Sequence, residues 1–131
     1  MGDLTENFSW SEFACKDGTP VPEDLRAAVI KTAEQLEKIR AKAQPLGGNY
    51  IKITSGYRTP EYNQLVGGSK RSQHLNGLAA DIIINGLNAE ITFDLVYDMM
   101  LNGEILAGGI GRYKTFTHVD FRGRITKWDN R

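Results

Sequence analysis

The run S-Q-H-L-N-G-L-A-A-D, Ser72 to Asp81, leads straight into the apolar segment I-I-I of residues 82–84. Leu78 to Ile84 reads as a strand, buried on both faces near Ile82 to Ile84. A core strand has little use for an aspartate at its mouth, since burying a carboxylate is costly unless it is partnered. Gly77 and Ala79 are small enough to let the chain turn tightly and approach another group closely. His74 and Asp81, on either side of that bend, therefore need a joint explanation.

The flanking segments supply a fold around this strand. Upstream, residues 50–55, Y-I-K-I-T-S, alternate as a strand does, and Thr59-Pro60-Glu61 starts a short helix to about Val66, stopped by Gly67 and Gly68. Pro22 suits a first helical position and opens a long helix to about Ala43, with Leu25, Val29, Thr32 or Ala33, Leu36, Ile39 and Ala43 in one apolar stripe. Ser9 and Glu12 have capping-box spacing before a short helical turn, onto which Phe8 and Phe13 pack. Downstream, Asn88 caps a helix that turns Ile91, Leu95, Val96 and Met99 inward and ends at Asn102-Gly103. Residues 108–113, 115–121 and 124–128 read as three short antiparallel strands joined by tight turns. The expectation is an α+β fold, a small antiparallel sheet with helices packed on one side, forming one domain over residues 1–131.

Bulk properties narrow the function. The 131 residues carry 16 Lys plus Arg against 16 Asp plus Glu. Zero net charge argues against a general nucleic-acid or membrane-surface binder. No apolar run approaches the roughly 20 residues of a membrane span. The single cysteine, Cys15, cannot form an internal disulfide and reads as a half-buried apolar residue. The first ten residues lack a signal-peptide pattern, so cytoplasmic synthesis and removal of a leader are both open.

The chain has two histidines, His74 and His118. In T-F-T-H-V-D-F, residues 115–121, strand alternation puts Phe116, His118 and Asp120 on one face and Thr117, Val119 and Phe121 on the other. Two histidines and an aspartate are a sound ligand set for zinc, leaving a fourth position for water. The alternative makes both histidines structural, one a hydrogen bonder at a helix end and one a half-buried ring.

The pattern S-x-H-x-x-G-x-A-x-D, filled by Ser72, His74, Gly77, Ala79 and Asp81, resembles the signature of the M15-type zinc D-Ala-D-Ala peptidases. Their metal-site fold is shared with the hedgehog signalling domain. S-G-Y-R-T-P-E-Y-N, residues 55–63, resembles the family's segment with a substrate-binding arginine. F-T-H-V-D, residues 116–120, resembles the third-ligand strand. F-S-W-S-E-F, residues 8–13, is similar to the amino-terminal segment of the small bacterial and phage branch. The resemblance implies zinc (Zn2+) held by His74, Asp81 and His118, and a peptidoglycan stem peptide as substrate. It implies that Arg58 binds a substrate carboxylate or the carbonyl oxygen that becomes charged. Ser72 would bond a ligand or the substrate's amino end, or its own backbone. Tyr57, Tyr62 and Trp128 either line the groove or pack in the core.

One position departs from the family pattern. Well-known members carry Asp or Glu three residues before the last histidine, where this chain has Thr115. Asp120 is the expected substitute as proton shuttle, with orientation of His118 or an ion pair with Arg112 or Arg122 as its rivals. The expectation is a monomeric zinc-dependent D-Ala-D-Ala carboxypeptidase or murein endopeptidase, the latter favoured because the short chain spares little for a lid. The rival function is a zinc-containing module that binds wall peptides without cutting them. Its location would be the cell wall or periplasm if a leader is removed, or the cytoplasm before release if it is a phage endolysin.

Overall fold

A computed structural model describes residues 2–131. Four α-helices, α1 (Trp10–Phe13), α2 (Arg26–Ala43), α3 (Pro60–Leu65) and α4 (Ala89–Leu101), accompany five strands, β1 (Ile51–Ser55), β2 (Ala79–Ile84), β3 (Gly109–Arg112), β4 (Thr117–Asp120) and β5 (Thr126–Asp129). The sheet order is β1-β2-β4-β3-β5. The fold is α+β, as expected, but the sheet is mixed. β5 lies parallel to β3, while the other neighbours are antiparallel. The expectation of three antiparallel strands fails at β5 for a topological reason. Both edges of β4 are already paired, with β2 and β3, so the chain leaving β4 must reverse and dock on the far edge of β3.

Local signals set most helix ends. Glu12 accepts the Ser9 backbone N–H at 2.7 Å, and Thr59 and Asn88 cap α3 and α4 through the N–H groups of Tyr62 and Ile91. Pro22 opens a single 3-10 turn, Glu23–Leu25, and the α-helix proper begins at Arg26. Val29, Thr32, Ala33, Leu36, Ile39 and Ala43 are buried along α2, and Gln35 joins them by accepting the Leu106 N–H at 3.0 Å. In α4 the inward face carries Thr92, Phe93, Leu95, Val96, Met99 and Met100, whereas Ile91 is 44% exposed, contrary to its expected inward place. Cys15 is buried.

The core lies between these helices and one face of the sheet. Ala80, Ile82 and Ile84 of β2, Ile110 of β3 and Val119 of β4 join the side chains of α2 and α4 in one cluster. Each of these valine and isoleucine side chains, fully withdrawn from water, contributes about 1.5–3 kcal/mol. Period-two alternation then forces the intervening residues, Asp81, His118 and Asp120, onto the opposite face. Among the described residues no helix is long and apolar enough to cross a membrane.

Candidate metal centre and cleft

Strand register assembles the site. Ser55 is opposite Asp81, Asp81 opposite His118, His118 opposite Gly111, and Gly111 opposite Trp128. One row thus crosses all five strands on the face away from the helices. Gly111 has no side chain because the Trp128 indole occupies that space: a Cβ there would lie 2.5 Å from Trp128 Nε1. The indole reaches over to within 5.0 Å of the His118 ring, centroid to centroid, and donates to Tyr113 Oη at 3.1 Å.

His74 comes from the loop before β2. Ser72 Oγ accepts the His74 N–H at 3.2 Å and opens a 3-10 turn, Gln73–Asn76. Gly77 ends the turn at φ 71°, a left-handed conformation that glycine adopts without strain. Thr32 Oγ1 on α2 donates to the Gly77 carbonyl at 2.9 Å, fixing the bend to the helix layer. The imidazole so placed is 1% exposed.

His74, Asp81 and His118 converge, each offering a ligand atom within 4.8 Å of the others. Their outer contacts determine what faces inward. His74 Nδ1 is 2.7 Å from the Gly56 carbonyl oxygen, a pure acceptor, so Nδ1 carries the hydrogen. His118 Nε2 lies 2.8 Å from Asp120 Oδ2 and donates to that carboxylate. The inner nitrogens, His74 Nε2 and His118 Nδ1, lie 3.2 and 3.1 Å from Asp81 Oδ1. In neutral rings these are two lone pairs aimed at a carboxylate oxygen. Such an arrangement requires a cation among them, either a proton or a metal ion.

The electrostatic surroundings act in the same sense. Burial draws the His74 imidazole below its ordinary value, more strongly than hydrogen bonding and charge from Asp81 raise it. Burial also disfavours charge on His118, but hydrogen bonds to Asp120 and Asp81 prevail and hold its value up. Burial would raise both carboxyls, yet contact with the His118 and His74 rings, when a proton lies between them and Asp81, keeps Asp81 well below the usual carboxylate range, and hydrogen bonds from His118 and Arg122 do the same for Asp120. A buried site with ionised carboxylates and one neutral imidazole suits a divalent ion, whose ligands must be deprotonated.

The triad lies in a cleft of about 580 Å³ that is also lined by Arg58, Ser72, Arg71, Tyr113, Arg122 and Trp128. Arg58 is anchored by Ser55 Oγ at 3.1 Å, Asn63 Oδ1 at 3.3 Å and Asp81 Oδ2 at 3.3 Å. Tyr57, expected as a substrate contact, instead belongs to the core cluster, 8% exposed and absent from the cleft wall. Asp120, expected as proton shuttle, is fully buried beneath the cleft. Its Oδ1 accepts Gly109 N, Arg122 N and Arg122 Nε, and its Oδ2 accepts His118 Nε2 and Arg122 Nη2. Both oxygens are thus engaged, one of them by the outer nitrogen of His118. Among the described residues, Asp81 is the one carboxylate that lines the cleft.

The family model described as Peptidase M15 matches residues 6–120, which include all three convergent side chains. The chain belongs to the peptidase M15 family. It is thus a metallopeptidase in its general class, with His74, Asp81 and His118 as the group that could hold the metal. No curated protein matches it. Several features of this M15 chain had no role assigned from sequence: the Gly56 carbonyl that fixes the His74 tautomer and Asn63 behind Arg58, both within residues 55–63, and Tyr113, which accepts from Trp128. Arg122 and Trp128 lie beyond the matched span.

Proposed function

We propose that the chain is a zinc peptidase hydrolysing peptide bonds in peptidoglycan stem peptides or their cross-links. One observation carries the metal chemistry. Two imidazole nitrogens, each with its outer N–H engaged, converge on one carboxylate oxygen at 3.1–3.2 Å in a cleft. Two nitrogens and one carboxylate, without thiolate, suit zinc and leave a position for water. Bound there, zinc would supply a Lewis acid that polarises the scissile carbonyl and lowers the pKa of water.

The protein's own groups prepare that chemistry. Gly56 and Asp120 hold the two imidazoles in the tautomers that present lone pairs inward. Arg58, fixed by three partners, meets a substrate carboxylate or the carbonyl oxygen as charge develops. The ring of Trp128 gives the cleft an apolar wall. The bond cut in this proposal lies within cross-linked peptides and is not that of a terminal D-Ala. Action at the cell wall as a monomer belongs to the same proposal.

The engagement of Asp120 favours a second reading, a zinc-containing module that binds wall peptides without cutting them. Digestion of purified peptidoglycan by the zinc-loaded protein tests both. New amino ends, with product masses naming the bond, support the peptidase. Binding to the wall without release of fragments supports the module.

A further inference from the structure

The cleft continues past the metal ligands. Arg71, Gln73 and Arg122 line it and also line an adjoining open groove of about 500 Å³, completed by Gly123 and Arg124. Among the described residues no carboxylate lines this groove. The charges along the path differ in how they are balanced. Arg58 is paired with Asp81 and Arg122 with Asp120. Among the described residues, neither Arg71 nor Arg124 forms an ion pair.

Arg122 is also oriented. Its Nε and Nη2 bond Asp120 at 2.9 and 2.7 Å, which fixes the plane of the guanidinium. Nη1 makes no hydrogen bond to the described residues, so two N–H groups are left for a ligand. A fixed guanidinium flanked by two exposed, uncompensated ones fits an anion with planar oxygens, since the arginine fork matches carboxylate geometry.

We propose that Arg71, Arg122 and Arg124 form an anion subsite that receives a free carboxylate of the substrate peptide, near the bond that is cut. This rests on the reading that a peptide is cut in the adjoining cleft. Arg122 and Arg124 fall outside the residues that match the family model. The ligand class is an acidic peptide, and in a stem peptide the α-carboxylate of its γ-linked glutamate answers that description.

The test uses two synthetic stem pentapeptides that differ only at this carboxyl, free in one and carboxamide in the other. The zinc-loaded wild type, Arg71→Gln, Arg124→Gln and the double variant are compared by kcat/KM and by calorimetric binding. The wild type should prefer the acid about tenfold, as charge-assisted hydrogen bonds at a partly open surface allow. The double variant should lose that preference because the acid falls to the level of the amide. Raising salt from about 0.05 to about 0.5 M should have the same effect on the wild type. Equal use of both peptides by the wild type, or equal losses on both in the variants, would overturn the subsite. If neither peptide is cut, calorimetry separates the two claims. Tighter acid binding that the double variant loses upholds the subsite and refutes cleavage of uncross-linked stems, leaving the peptidase to the peptidoglycan digest, whereas equal binding refutes the subsite.

Discussion

Replacing Asp120 with Asn alters the chemistry of one atom while keeping the shape of the side chain. The carboxylate now accepts five hydrogen bonds on two oxygens and is fully buried. An amide whose oxygen takes the Oδ1 place keeps Gly109 N, Arg122 N and Arg122 Nε. Its NH2 group then faces two donors, Arg122 Nη2 and His118 Nε2. Arg122 can turn to water, since its side chain is 27% exposed, but His118, with 9%, cannot. The ring relieves the clash by moving its hydrogen to Nδ1, the nitrogen that faces Asp81. A metal would lose a ligand lone pair, so Asp120→Asn should weaken metal affinity about 10–100-fold, the usual range for partners of ligating histidines. The metal-free protein should lose about 1–3 kcal/mol, because the charge-assisted bonds of the carboxylate to Arg122 and His118 give way to weaker neutral ones. Competition with a chromophoric chelator reads the first quantity and urea unfolding the second. Turnover at saturating metal supplies the critical comparison. A positioning role predicts that activity recovers once the site is filled. Unchanged metal affinity, or inactivity with the metal fully bound, would refute this reasoning and return Asp120 to the role of proton shuttle.

Three other outcomes follow from the same geometry. Metal affinity should weaken as pH falls through the value of His118, which lies above the ordinary 6.5, because a proton and the metal compete for Nδ1; proton release on binding, measured calorimetrically in two buffers, checks this, and a flat affinity between about pH 6 and 8 contradicts it. Stability of the metal-free protein should decline as pH drops below 3.8 toward the depressed folded values of Asp81 and Asp120, since the unfolded carboxyls bind protons first; melting temperatures across that range check the sign. Gly111→Ala would set a Cβ 2.5 Å from Trp128 Nε1, so displacement of the indole should cost about 1–3 kcal/mol in urea unfolding, and a neutral substitution would contradict the row of residues across the sheet.

The parts of this molecule that were legible in the sequence are those governed by nearest neighbours. Thr59 before Pro60, Asn88 before its helix and the small residues between His74 and Asp81 each act within a few residues, and each appears where its chemistry places it. Alternation alone put His118 and Asp120 on one face. Pairing of distant segments was not legible. That β5 docks on β3, and not beside β4 as in a simple meander, depends on both edges of β4 being occupied, which no local pattern records. Tyr57 and Asp120 show the same limit at the site. An aromatic ring beside an arginine can face either way, and a carboxylate two residues from a histidine can point at the cleft or at the back of the ring. For Asp120, Arg122 and the Gly109 amide settle the direction.

The central claim is that His74, Asp81 and His118 together hold one metal ion. X-ray absorption at the zinc edge, on protein loaded under zinc-replete conditions with its metal content assayed in the same sample, tests it most directly. The account predicts one zinc per chain, bound by two imidazole nitrogens and carboxylate oxygen, and loss of the metal in His74→Ala. A chain that stays metal-free, or a zinc environment without imidazole, would contradict it.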